Sequence, residues 1–139
     1  MTMSELILPL IGVGVGFLLA QLTDLMKNRR RKALIKKALI NELSIIRKTL
    51  SDAPKKQNRI PDERFPLIMG TYNSVKIELA SFLKPDSLAV VQRTYEEIRK
   101  MNSEGRGHIV IAGSLDHIFQ FTDFNKLVAL IDDSITRLK

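Results

Sequence analysis

The chain has 139 residues, with 22 lysines and arginines against 15 acidic residues, and therefore a formal net charge of +7. It contains no cysteine, which excludes disulfide bonds, thiolate nucleophiles and cysteine-based metal sites. The length suffices for one hydrophobic core beyond a terminal segment, but not for two.

The first segment, residues 6–22, reads LILPLIGVGVGFLLAQL and carries no charged side chain in 17 residues. At about 1.5 Å per residue it barely crosses a hydrocarbon layer of about 30 Å, and extension to Met26 adds the missing turn. A cleaved signal peptide has its positive charge first, whereas here Glu5 precedes the run and arginines follow it. We therefore predict a retained transmembrane anchor over residues 1–26, with a buried helix of a soluble protein as the alternative.

Small residues recur within this anchor. Gly12, Gly16 and Ala20 are four apart, so they lie within about 80° of one another on a helix. Such a ridge lets two helices approach closely in lipid, and Thr23 continues the same face. The prediction is self-association of the anchors; the alternative is that glycine is simply common in membrane helices. Because one helix cannot enclose an aqueous path, a pore needs several copies, and Gln21 is then a candidate lumen residue.

Positive charge is concentrated directly after the anchor. Residues 27–60 hold twelve basic and two acidic side chains, and residues 1–26 hold two acidic and no basic ones. The positive-inside rule then predicts a single-pass protein of the inner (cytoplasmic) membrane, with its N-terminus outside and its C-terminal domain in the cytoplasm. Expected contacts to anionic lipid, or alternatively to nucleic acid, are Lys27, Arg29, Arg30, Arg31, Lys32, Lys36 and Lys37. The absence of interleaved aromatic side chains favours lipid over a stacked single strand.

The helical pattern continues beyond the anchor. Apolar residues recur in steps of four and three at Ile35, Leu39, Leu43, Ile46 and Leu50. No glycine or proline interrupts the chain between Phe17 and Ala53, so the pattern predicts one long helix in which residues 27–53 form a basic juxtamembrane stalk. Residues 54–66, PKKQNRIPDERFP, contain three prolines and are predicted to form an exposed loop.

Residues 54–139 are predicted to form a cytoplasmic helical domain. One helix is expected from about Pro66 or Thr71 to Leu83. A second is expected from Pro85 to about Met101, with Leu88, Val91, Tyr95, Ile98 and Met101 as its core stripe. A last helix, Asp123–Leu138, is capped by Asp123 and places Leu127, Leu130, Ile131, Ile135 and Leu138 on one face.

The stretch between the last two predicted helices is the least regular. His108–Ile111 is β-branched, but the sequence offers no obvious partner strand, so we predict a short helix or irregular segment over residues 106–122. The predicted fold class is all-α: a transmembrane helix that continues into a stalk, followed by a small antiparallel helical bundle.

Catalytic and ligand-binding motifs are weak. His108 and His117 lie nine residues apart, without the spacing of a metal site, and are predicted to be polar positions in a loop-rich region. GVGVG lies inside the apolar run, and GRG lacks the preceding strand and the lysine of a phosphate loop. We expect no enzymatic activity, no cofactor, no metal and no small-molecule substrate.

Scattered residues in the C-terminal part carry a resemblance. They are Phe65 and Pro66 ahead of a helix with Tyr72 and Asn73, and then Tyr95, Ile98 and Asn102. Together with the anchor and basic stalk, they resemble small bacterial single-span membrane proteins encoded beside phage-defence genes. The layout is similar to that of the membrane accessory protein of RNA-targeting type VI CRISPR systems, and this likeness implies a ring-shaped, homo-oligomeric pore.

The ribonuclease-like fold to which that accessory protein is compared is associated with an arginine followed, after four to six residues, by a histidine. This chain lacks that motif. Arg99 lies nine positions before His108, and Arg106 only two. The resemblance therefore implies a membrane role and not a ribonuclease.

Three functions follow. The first is a membrane-anchored oligomeric accessory or effector protein, pore-forming or membrane-permeabilising in phage defence. Its expected partners are the lipid bilayer, copies of itself, and a defence-system protein or RNA. The alternatives are a passive anchor or adaptor for a soluble partner, and a nucleic-acid-binding membrane protein.

Overall fold

A computed structural model describes residues 3–53, 59–104, 108–111, 114–119 and 122–139. The helices are α1 (Met3–Asp52), α2 (Gly70–Phe82), α3 (Pro85–Glu104) and α4 (Phe124–Leu138), with a short 3₁₀ helix at Asp62–Arg64. The strands are β1 (Arg59–Pro61), β2 (His108–Ile111) and β3 (Ser114–Ile118). The described chain is therefore mainly helical, with one long apolar N-terminal helix.

The chain divides into two compact units, residues 1–35 and residues 36–139. We call them the N-terminal unit and the C-terminal unit. The boundary falls inside α1, within the segment predicted as the stalk. All side chains from Pro9 to Leu34 are exposed.

The core stripe predicted for the second half of α1 is confirmed. Its five members, which are Ile35, Leu39, Leu43, Ile46 and Leu50, are all buried. Since they recur at helical spacing, one face of the helix is apolar and the lysines and arginines between them lie on other faces. The helix ends at Asp52, directly before Ala53 and Pro54, as the sequence predicted.

The predicted helices of the C-terminal unit are also confirmed. On α3, Val91, Tyr95, Ile98 and Met101 are buried, and Leu88 is half-buried; on α4, Leu127, Ile131 and Leu138 are buried, and Leu130 and Ile135 are half-buried. The two helices pack against each other. Asp123 caps α4, because its side chain accepts hydrogen bonds from the amides of Asn125 and Lys126 at 3.0 and 3.2 Å.

The prediction of a helix or irregular segment over residues 106–122 is wrong for residues 108–111 and 114–118. These residues form β2 and β3, and the three strands form an antiparallel sheet in the order β1-β3-β2. The partner of His108–Ile111 is the segment that follows it. That segment reads SLDHI. Its sequence does not predict a strand, because three of its five residues are polar and one of them, the aspartate, is depleted in strands.

The predicted exposed loop is also wrong in part. Its residues 54–58 lie outside the described part, but Arg59–Pro61 form β1 and Ile60 is fully buried. Pro61 is compatible with a strand here because β1 lies at the edge of the sheet, where a missing amide proton can face away from the ladder.

Candidate functional site

The most unusual surface of the described chain is the apolar part of α1. Between Pro9 and Met26 every side chain is exposed, and its ten large apolar residues are each 50–73% accessible. Among the described residues, one helix is long enough and apolar enough to cross a membrane. This helix is α1, and its apolar part lies near the N-terminus. A core helix of a soluble protein would be mostly buried, whereas no part of this apolar stretch is. A signal sequence would satisfy the same criteria of length and composition.

The ridge consists of Gly12, Gly16 and Ala20, and all three residues are exposed. A Cβ added at Gly12 or Gly16 would meet no atom within 4 Å. The Thr23 hydroxyl donates a hydrogen bond to the Leu19 carbonyl oxygen of the same helix, at 2.8 Å. A bond from Thr23 across the ridge would therefore use its oxygen as the acceptor. Gln21 is exposed as well.

The basic flank follows on the same helix. It consists of Lys27, Arg29, Arg30, Arg31, Lys32, Lys36 and Lys37. All of these side chains are exposed except Lys36, which is half-buried. Clustered cations of this kind can bind phosphates, whether they belong to lipid headgroups or to nucleic acid.

The C-terminal unit contains a buried carboxylate that the sequence reading missed. Glu42 on α1 is only 6% exposed. Its two oxygens accept hydrogen bonds from the amides of Thr71 and Tyr72 at 2.8 and 3.2 Å, and from the Tyr95 hydroxyl at 2.8 Å. Because no side chain caps the start of α2 at Met69, Glu42 supplies the negative acceptor that a helix N-terminus favours.

Sequence periodicity contains the signal for Glu42. It lies three residues after Leu39 and four before Ile46, on the same side of α1 as the core stripe. An acidic residue in phase with a buried stripe requires a hydrogen-bonding partner inside the core, because an unpaired buried charge is strongly unfavourable.

Tyr72 and Tyr95 both donate a hydrogen bond to Glu42, and we call these three residues the Glu42 cluster. The rings of Tyr72 and Tyr95 stack with their centroids 4.0 Å apart and an angle of 5° between their planes. Burial raises the pKa of Tyr95 far above its usual value, and the adjacent Glu42 carboxylate raises it further. Burial also raises the pKa of Tyr72. The Tyr95 hydroxyl therefore stays protonated and remains a donor to Glu42 across the physiological range.

Other residues that carried the resemblance have structural contacts. Asn102 holds the backbone of Leu67 on both sides: it accepts from the Leu67 amide at 2.9 Å and donates to the Leu67 carbonyl oxygen at 3.0 Å. Ile98 is buried, and Asn73 is exposed on the first turns of α2. These contacts explain Asn102 and Ile98 as parts of the fold.

The prediction that His117 is a polar residue of a loop-rich region is wrong. His117 lies on β3 and is buried, with Nε2 2.7 Å from the Asp62 Oδ1 atom. Its ring lies 4.2 Å from that of Phe65. His108 pairs with it across β2 and β3, but the His108 side chain lies outside the described part. No group of three histidine, aspartate or glutamate side chains that could hold a metal occurs among the described residues.

Comparisons with protein-family models, with curated proteins and with solved structures found no match to this chain.

Proposed function

We propose that this chain is a membrane-anchored, self-associating accessory or effector protein that changes membrane permeability when a partner signals. One observation carries this proposal: the apolar part of α1 buries none of its side chains within the described chain. Removing a leucine, isoleucine or phenylalanine side chain from water contributes about 1.5–3 kcal/mol. Ten such large apolar side chains in water would be strongly unfavourable, and a bilayer removes this cost.

The ridge supports self-association. In lipid, helices associate by close packing and not by the hydrophobic effect, and small residues four apart allow that packing. Gly12 and Gly16 have open space beside them in the described chain, so the ridge is available to a second helix. A ring of several copies is required for a pore, and Gln21 is then our candidate for its lumen.

The basic flank supports the proposed topology. Each lysine or arginine close to an anionic leaflet contributes about 1 kcal/mol. Seven such residues beside the apolar segment favour an orientation with the C-terminal unit inside the cell and the N-terminus outside it. The link to phage defence comes from the resemblance alone. The proposal assigns no catalysis to the chain.

A glycine pair on α1 provides the test and its matched control. Gly16 lies on the ridge, whereas Gly14 lies about 160° away from it around the helix. Neither has a neighbouring atom within 4 Å, so leucine fits at both positions in the isolated chain. We expect Gly16→Leu to abolish membrane depolarisation on expression in bacteria, and Gly14→Leu to retain most of it.

Membrane fractionation accompanies the depolarisation assay. Both variants should remain in the membrane fraction, since leucine only increases the hydropathy of the segment. A wild-type chain that stays in the supernatant without detergent would disprove the anchor. Equal depolarisation by the two variants would remove the ridge from the mechanism. A wild-type chain that reaches the membrane fraction but causes no depolarisation would leave the passive anchor as the better description.

A further inference from the structure

A groove of about 420 Å³ runs along the C-terminal unit between α1 and residues 63–68. Its apolar lining comes from Ile45 and Ile46 of α1 and from Pro66, Leu67 and Ile68 of the facing segment. A smaller depression of about 130 Å³ adjoins it, because Ile45 and Ile68 line both. The two depressions form one apolar surface, which we call the α1 groove.

The α1 groove exposes side chains that a monomer would normally cover. Ile45 is 51% exposed and Ile68 is 63% exposed, although both are large and aliphatic. They lie beside each other, whereas isolated exposed apolar residues are ordinary on any surface. Adjacent exposure of this kind is typical of a surface that another molecule covers.

The charges at the α1 groove indicate which molecule. Lys48 and Glu63 both line it. Neither has a hydrogen-bond or ion-pair partner within the described residues, whereas the neighbouring Arg64 is already bound to Asp52 at 3.1 Å. Within the described part of the chain, the groove therefore has a cation from α1 and an anion from the facing segment, neither of which is paired.

Such a surface is complementary to itself. When two identical grooves face each other across a two-fold axis that runs along their length, each side of one groove meets the opposite side of the other. The ammonium of Lys48 can then approach the carboxylate of Glu63 in the second copy, twice per interface, while Ile45 and Ile68 close over each other. An anionic or cationic partner protein would satisfy only one of the two charges.

We infer that the α1 groove is an interface between two copies of this chain. The inference rests on the proposed function in one respect: anchoring in a shared bilayer raises the local concentration of the copies, so a modest interface suffices. The groove interface and the ridge are separate contacts, and each can fail without the other.

Charge reversal tests the pairing in the full-length chain in detergent micelles. Lys48→Glu and Glu63→Lys each convert two attractive contacts into repulsive ones, and we expect the dissociation constant of the dimer to rise about tenfold in either variant. The double variant Lys48→Glu/Glu63→Lys restores opposite charges and should return to near the wild-type value. A double variant as weak as the single variants overturns the inference.

Cross-linking tests the position of the interface. Because the chain contains no native cysteine, only the introduced cysteine can react. Ile45→Cys should form a covalent dimer with a flexible bismaleimide, whereas Ile77→Cys, at an 85% exposed position on α2, provides the matched control. Equal yields from the two cysteines would overturn the inference. So would a different protein bound at the groove while no Ile45→Cys dimer forms.

Repeating the cross-link with Gly16→Leu separates the two proposals. A dimer that persists at Ile45→Cys while depolarisation is lost supports the groove interface independently of the ridge. Depolarisation that depends on Gly16 together with no specific Ile45→Cys dimer keeps the proposed function and rejects the groove interface.

Discussion

Replacing Glu42 with alanine removes the carboxylate that connects α1 to α2 and α3. Three donors lose their acceptor: the amides of Thr71 and Tyr72, and the Tyr95 hydroxyl. A hydrogen bond to a charged group contributes about 1.5–3 kcal/mol. The half-buried amides recover part of this by bonding water, whereas the buried hydroxyl does not. We therefore expect the free energy of unfolding to fall by about 3–4 kcal/mol.

Thermal unfolding of the full chain in detergent, followed through the near-ultraviolet circular dichroism of its tyrosines, measures this effect. At roughly 4–8 °C per kcal/mol for a domain of about 100 residues, the midpoint should fall by more than about 10 °C. Glu42→Gln keeps one oxygen acceptor and should lose less than half as much. The control is Glu96→Ala, at an exposed position on α3, where the expected change is within about 0.5 kcal/mol. If Glu42→Ala and Glu96→Ala unfold at the same temperature, our account of the carboxylate is wrong.

Three further predictions concern the C-terminal unit. Because the pKa of Tyr95 is raised in the folded chain, the unfolded chain loses the phenol proton at a lower pH. The free energy of unfolding should therefore fall as the pH rises above about 10, the ordinary pKa of tyrosine. Between pH 9 and 11.5 this fall should be smaller in Tyr95→Phe, and equal slopes in the two proteins would contradict the assignment. Asp123→Ala removes the cap of α4 and should cost about 1 kcal/mol in chemical denaturation, whereas Asp123→Asn should cost much less. In the wild-type chain the buried Ser134 hydroxyl lies 2.7 Å from the Thr94 oxygen. Thr94→Val removes this partner and should lower the free energy of unfolding by about 1–2 kcal/mol. No loss in the same assay would mean that Ser134 finds another partner.

The helices could be predicted because their pattern is local. Each one repeats buried apolar residues every three or four positions, and the ends of two of them are marked by particular residues, Pro85 for α3 and Asp123 for α4. Such signals require no knowledge of what the helix packs against. For this reason the long apolar helix and the three shorter ones were found, with ends within a few residues of those observed.

The sheet and the Glu42 cluster depend on contacts between distant residues. Ile60 pairs with His117, 57 positions later, across strands whose own sequences are short and polar. The Tyr95 hydroxyl reaches Glu42 across 53 positions. One sequence contains the periodicity that makes Glu42 conspicuous, but it does not contain the identity of its donors. The α1 groove was missed for a similar reason, since its two sides come from separate segments.

The way in which Glu42 holds α2 determines how freely each partner can mutate. Two of its three bonds go to main-chain amides, which every residue except proline provides. The side chains at positions 71 and 72 can therefore change while the main-chain hydrogen bonds to α1 are kept. Position 42, in contrast, needs a side chain of the length of glutamate that can accept hydrogen bonds from several donors. In a mutational scan, tolerance should be broad at Thr71, with proline as the exception, and narrow at Glu42.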